Sequence, residues 1–238
     1  IQLSAERLAM KLAHKLEPLD AQLLERATNT IVNQVNSLKH MVDDFREYAR
    51  KPPLVLAPVD FNGLVDEVLG LYGWDPLSGQ VQEDPGQPWR LQVLLDPALP
   101  VILGDPTQLR QVVHNLLANA RDALAEVSHP GVIRVSTQMI PPGAVETAER
   151  AAVRFTVSDN GAGFSAQVLQ RAFEPYVTTK TQGTGLGLAI VRKIIEEHHG
   201  RIDVSNRKEG GARVSILFTQ LAEPVDATPQ DNDNASLQ

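Results

Sequence analysis

The chain contains no cysteine among its 238 residues, which removes disulfides, thiolate zinc sites, iron–sulfur clusters and cysteine nucleophiles, and suits a reducing compartment. Cationic excess is missing too: 22 Lys and Arg stand against 29 Asp and Glu, a formal net charge of -7. A field of that sign repels phosphate backbones and no local basic patch offsets it, so no nucleic-acid partner is expected. No apolar run approaches the roughly 20 residues that span a bilayer, and no basic-then-apolar leader opens the chain. The segment is read as soluble and cytoplasmic. Aromatics are scarce, at 5%, but 42% hydrophobic residues suffice to bury the core of one large domain, with room for a small second one.

Glycine is absent from residues 1–51, where apolar residues recur at three- and four-residue steps, the period of a helix. Ile1, Ala5, Leu8 and Leu12 share one face of a first helix. After a break at Glu17-Pro18, Leu24, Ile31, Leu38 and Phe45 follow a heptad, with Thr28, Val35, Val42 and Ala49 interleaved. That is an a/d seam. A hairpin this thin cannot hide its seam alone, so a homodimer through residues 1–51, closing a four-helix bundle, is expected; packing of the pair on its own C-terminal domain is the alternative.

Lys51-Pro52-Pro53 ends the second helix, because proline excludes the helical conformation from the residue before it. The domains are therefore set at 1–53, 54–222 and 223–238. The middle one reads as α+β: a helix over 61–72, strands over 90–95 and 101–103, a long helix from Pro106, strands over 132–137 and 152–158, a helix over 184–199, and strands over 201–205 and 213–218. Asp105, Pro106 and Gln108 supply N-cap, first position and third position of a capping box for the long helix. Stretches 73–88 and 141–147 read as loops, and the polar tail 223–238 cannot bury enough apolar surface to order itself.

Three segments carry chemistry. The long helix stacks Gln111, Asn115, Asn119 and Asp122 on one face, while Val112, Val113, Leu116, Leu117, Ala120 and Ala123 make the rest apolar. Both asparagines are thus expected to be buried and in need of partners. Next, Ser158-Asp159-Asn160-Gly161-Ala162-Gly163-Phe164 ends an apolar strand, placing a carboxylate beside glycines that let backbone approach a ligand. Its resemblance to a dinucleotide fingerprint fails, because no acidic residue ends a strand about twenty positions later. Third, Gly183-Thr184-Gly185-Leu186-Gly187-Leu188 runs into an apolar helix, whose unpaired N–H groups and dipole suit a phosphate. It lacks the Gly-Lys-Ser/Thr of a Walker loop. Between the last two, Phe173-Glu174-Pro175-Tyr176-Val177-Thr178-Thr179-Lys180 reads as a mobile lid with a cation that can reach a terminal phosphate.

The order Asn115-x-x-x-Asn119, Asp159-x-Gly161-x-Gly163, Phe173-Glu-Pro, Gly183-Thr-Gly185-Leu-Gly187 resembles the N, G1, F and G2 boxes of bacterial sensor histidine kinases. Their ATP-binding domain has the Bergerat fold shared with gyrase, Hsp90 and MutL. The resemblance covers about Phe61 to Phe218 and implies an α/β sandwich, a mixed sheet with helices on one face, preceded by half of a dimeric four-helix bundle. The stretches from Ile1 to Leu8 and from Glu47 to Pro52 are most similar to NtrY-type nitrogen-regulation sensors.

By that resemblance Asp159 accepts from the adenine amine, Asn119 holds Mg2+, Asn115 supports the phosphates of ATP, and Gly185, Leu186, Gly187 and Leu188 wrap them. Gly161, Gly163, Thr179, Gly183 and Thr184 line the nucleotide, and Lys180 is the lid cation. Asp122 joins them, or a second metal shell, where many relatives carry a basic residue. The chemistry is apt, since a carboxylate accepts from adenine's amine and Mg2+ prefers oxygen ligands. The family's phosphoacceptor, a histidine followed by an acidic residue and by proline five positions on, is not found. His14 has a basic follower and its proline one residue early. His40 reads as a solvent-facing bundle residue, His129 precedes a turn, His114 packs or caps, and His198 and His199 sit where a helix C-terminus favours positive charge. The expectation is that the chain starts just after the acceptor motif, cannot phosphorylate itself, and derives from an inner-membrane sensor acting on a response-regulator receiver domain. Two other functions compete: a hydrolytic ATPase of the same superfamily, disfavoured because Asn115 stands where those enzymes place a glutamate base, and a nucleotide-binding scaffold without kinase activity.

Overall fold

The computed structural model describes residues 1–12, 15–49, 53–78, 80–81, 89–125, 127–144, 150–178, 180 and 183–222. His14, Lys51-Pro52, Thr179 and the tail 223–238 lie outside the described residues, as do the side chains of His40, Phe45 and Ala49.

The glycine-free start forms two helices, α1 (Gln2–Leu12) and α2 (Pro18–Ala49). Pro18 is the first residue of α2, where its missing N–H costs nothing. Ala5 and Thr28 are buried, and the Thr28 hydroxyl returns a hydrogen bond to the Leu24 carbonyl at 2.7 Å. Leu8, Ile31, Leu38 and Val42 stay exposed on the single chain.

Downstream come β1 (Ala57–Val59), α3 (Phe61–Gly70), β2 (Trp74–Asp75), β3 (Gln80–Val81), β4 (Trp89–Leu94) and β5 (Ile102–Gly104). They are followed by α4 (Pro106–Ala123), β6 (Gly131–Ile140), β7 (Ala152–Asp159), α5 (Ala166–Gln170), α6 (Gly187–Glu197), β8 (Arg201–Asn206) and β9 (Ala212–Phe218). One five-stranded sheet runs β4-β6-β7-β9-β8. Its β4–β6 pair is parallel and the other three pairs are antiparallel, a mixed sheet as expected. Buried residues of α3, α4 and α6 share one core with those of β6, β7 and β9. Phe61 of α3 meets Phe155 of β7 edge-on at 5.2 Å and Phe218 of β9 at 5.1 Å; each buried ring contributes about 1.5–3 kcal/mol.

Several boundaries move. The expected loop over 73–88 contains the short β2–β3 pair, too brief to show periodicity. β1 pairs with β5, and α5 is a further addition, capped by Ser165. The capping box of α4 is only half made: the Asp105 carboxylate accepts from Thr107 and Gln108 at 2.9 and 3.2 Å. The Asp105 N–H donates instead to Nε2 of His198 at 2.9 Å, and Gln108 Oε1 is buried without a partner. His198 is thereby corrected as well. It is buried, its Nε2 accepts, and its Nδ1 lies 2.7 Å from the Ile194 carbonyl. Nδ1 must therefore carry the proton, so the ring is a neutral bridge between α4 and α6, not a charge at a helix end.

Candidate functional site

The polar stripe of α4 forms one wall of the site. Asn115 and Asn119 are half-buried, not buried as expected, because the stripe lies between the buried face of α4 and the exposed face that carries Arg110, His114 and Arg121. Asn115 Nδ2 and Gln111 Nε2 are buried without hydrogen-bond partners, donors with no acceptor among the described residues. One turn on, Asn119 Oδ1 accepts from the Lys180 ammonium at 3.1 Å and Asp122 from the same ammonium at 3.0 Å. Asp122 also meets Arg121 at 3.4 Å. His114, expected to pack or cap, is exposed with its ring 6.4 Å from that of Tyr72.

A second wall is the end of β7. Asp159 is buried, and one of its carboxylate oxygens accepts from the N–H groups of Gly161 at 2.8 Å and Ala212 at 3.2 Å. Burial pushes its carboxyl up from the usual carboxylate range, against the opposing pull of those two N–H groups and of the Arg207 charge. Among the described residues the other oxygen takes no partner, so it is free to accept from a ligand. Gly161 lies against the carbonyl of Ala123, at the end of α4, where a Cβ would collide. The two walls therefore meet at the last turn of α4.

The third wall combines the lid and the start of α6. That helix begins at Gly187, three residues later than expected, with no side-chain cap. Its first N–H groups thus take no side-chain acceptor, and with the positive end of the dipole they suit an anion. Thr184 to Leu186 form the entering turn, in which Gly185 adopts φ +69 and a Cβ would come within 2.6 Å of the Tyr176 carbonyl carbon. The Tyr176 N–H donates to the Gly185 carbonyl at 3.1 Å, joining turn and lid. Gly187 lies beside Asn119, its Cβ position 3.4 Å from Nδ2, and Gly183 packs on Thr178 and Lys180. Leu186 is fully buried, so only its backbone can face a ligand, and Leu188 is partly buried against the core. Phe173 anchors the lid beneath the Arg192 guanidinium, 5.4 Å above the ring centroid.

Asn206, Arg207 and Gly211 were not singled out in the sequence. Asn206 pairs both side-chain groups with the Phe164 backbone at 2.8 and 2.7 Å, and Gly163, at φ +70, packs on it. The adjacent Gly210-Gly211, a turn signal between two strands, was the available clue. An open hollow of about 430 Å³ lined by Leu103, Arg150, Thr219, Gln220 and Leu221 contains none of these groups and is not the site. No described helix is long and apolar enough to cross a membrane.

The family model described as "Histidine kinase-, DNA gyrase B-, and HSP90-like ATPase" matches residues 104–222, from the end of β5 past β9. The nitrogen regulation protein NtrY of Azorhizobium caulinodans is 34% identical over 96% of this chain and 28% of its own length. The sensory histidine kinase/phosphatase NtrB of Rhizobium leguminosarum bv. phaseoli is 32% identical over 98% of this chain and 62% of its own. The sensor histidine kinase ZraS of Escherichia coli K12 is 32% identical over 84% and 38%. The chain thus spans less than two thirds of each relative. Among solved structures, the catalytic domain of the histidine kinase ThkA superimposes with a TM-score of 0.53 at 28% identity, over 70% of this chain and 96% of that one. ThkA in complex with the response regulator protein TrrA shares the fold, at a TM-score of 0.63 and 24% identity, over 91% of this chain and 56% of that one.

Proposed function

Because the chain belongs to the histidine kinase-, DNA gyrase B- and HSP90-like ATPase family, we propose that it is the ATP-binding catalytic portion of a sensor histidine kinase, acting on a histidine supplied by another segment or chain. The observation that carries this reading is the convergence of four groups at the last turn of α4. They are the carboxylate oxygen of Asp159 that takes no partner among the described residues, the side-chain carbonyl of Asn119, the ammonium of Lys180, and the start of α6, which has no side-chain cap.

Each group has a task in phosphoryl transfer, where positioning and charge neutralisation dominate. Asp159 accepts from the exocyclic amine of adenine and rejects a carbonyl in that place. The N–H groups at the start of α6, with the unpaired amides of Asn115 and Gln111, meet phosphate oxygens. Asn119 and Asp122 fit a divalent ion, since their oxygens already share one cation, the Lys180 ammonium. Mg2+ bound there would neutralise phosphate charge. Lys180 would then turn to the terminal phosphate. A hydrolytic role lacks its base: four residues ahead of Asn119 stands the amide of Asn115.

The exposed Leu8, Ile31, Leu38 and Val42 support pairing of two chains through α1 and α2. The name of the nitrogen regulation protein NtrY supports a nitrogen-regulation sensor, and the ThkA–TrrA complex supports passage of the phosphoryl group on to a response regulator. The decisive experiment mixes this chain, γ-labelled Mg-ATP and a separate dimerisation helix carrying the acceptor motif. Acid-labile label on that helix is expected; label on this chain, or release of phosphate alone, contradicts the reading.

A further inference from the structure

The turn between β8 and β9 grips Asp159 in a way that base recognition by one carboxylate does not require of it. Arg207 donates from Nη1 to the Asp159 main-chain carbonyl at 2.9 Å. Its side chain is only 15% exposed, although Glu209, its ion-pair partner at 3.6 Å, lies out in solvent. The Arg207 N–H closes the turn on the Gly211 carbonyl at 2.9 Å. Gly211, at φ +85, passes so close to the Asp159 carbonyl that a Cβ would collide, and the next residue, Ala212, donates to the carboxylate. One short turn therefore fixes both the main chain and the side chain of Asp159. A long side chain buried to reach a single carbonyl is a costly way to satisfy an acceptor that water could serve.

We propose that Arg207 is a positioning residue for base recognition: from the β8–β9 turn it fixes the Asp159 peptide, aims the free carboxylate oxygen at the ligand, and keeps that oxygen an ionised acceptor for a purine's exocyclic amine. The inference rests on the adenine role of Asp159. Opposite Asp159 on β6 stands Ile133, the Ala123 carbonyl of α4 packs on Gly161, His129 lies 3.5 Å from the Asn160 amide, and Asp122 of α4 pairs with Arg121 and with Lys180 of the lid. Burial works against ionisation of Asp159, and the charge working for it is that of Arg207. Loss of that charge makes the carboxyl take up its proton at higher pH.

The test titrates ATP, with Mg2+ fixed, into the full chain and its Arg207→Met and Arg207→Lys variants across acid to neutral pH, with thermal unfolding as the folding control. Arg207→Met should bind about two- to tenfold more weakly near neutrality, the range for one lost hydrogen bond. Its loss of affinity on acidification should begin at higher pH than in the parent. Arg207→Lys should hold the acid limb in place while recovering only part of the affinity. An acid limb that does not move in Arg207→Met overturns the proposal, since a merely structural role would lower stability and leave that limb alone. Should Arg207→Met fail to fold, parental affinity in Arg207→Lys overturns it equally. A parent chain that binds no ATP at any pH instead removes the adenine role, and this inference with it.

Discussion

The Lys180 ammonium lies 3.1 Å from the side-chain oxygen of Asn119 and 3.0 Å from that of Asp122. A lid residue thus reaches the helix stripe and fills it with a tethered cation. The side chains of the Lys180–Asp122 pair are 35% and 43% exposed, so the pair adds at most about 1 kcal/mol to the fold.

Lys180→Met is therefore expected to leave thermal stability nearly unchanged and to weaken ATP about tenfold, the scale of a hydrogen bond to a charged group. ADP should suffer less, because the lysine's partner on the nucleotide is the terminal phosphate. Calorimetric titration of both nucleotides checks this; equal losses contradict it.

Asp159→Asn separates stability from function. The asparagine oxygen can still accept from Gly161 and Ala212, but its amide presents a donor to the purine amine. ATP affinity should fall at least about 30-fold, from the lost acceptor and the unpaired donors. In the parent chain ATP needs the ionised carboxylate, so affinity falls as pH drops through the raised pKa of Asp159. Without nucleotide the sign reverses. A carboxyl whose pKa is raised by folding binds protons more tightly folded than unfolded, so its contribution to stability declines as pH rises through that interval. Asp159→Asn should accordingly melt above the parent at neutral pH, measured by calorimetry, and lose that advantage in acid.

His198→Ala removes the bridge between α4 and α6 and leaves the Asp105 N–H unpaired in the interior, while the Ile194 carbonyl keeps the main-chain N–H of residue 198. A loss of about 2–4 kcal/mol is expected, from one orphaned donor and a cavity. Denaturant unfolding measures it, and a change under about 1 kcal/mol contradicts the bridging role.

Much of this architecture was readable from residue order. Asp105 and Pro106 marked the start of α4, and steps of four, four and three put Gln111, Asn115, Asn119 and Asp122 on one stripe, as found. Gly163 and Gly185 adopt a positive φ, which glycine enters without steric cost. Other features depend on distance in the chain. The Gln108 half of the capping box gave way to His198, 93 residues beyond Asp105, and no local pattern reports a partner so remote. Arg207 looked like any turn arginine, because its role depends on β9 pairing with β7. The extent of α2's seam was legible, but what covers it was not.

Pairing through that seam is testable directly. Ile31→Glu with Leu38→Glu places two charges on the exposed apolar face of α2 and should yield a monomer in sedimentation velocity while ATP affinity stays at the parent's level. A dimer that survives both charges contradicts pairing through α2.

Titration of the unaltered chain with ATP and with GTP, each with and without Mg2+, bears most directly on the site. Saturable binding of one ATP per chain that strengthens with Mg2+, with GTP bound far more weakly, is the predicted result. No ATP binding, or equal affinity for the two purines, would contradict a site built on the Asp159 carboxylate and the Asn119 oxygen.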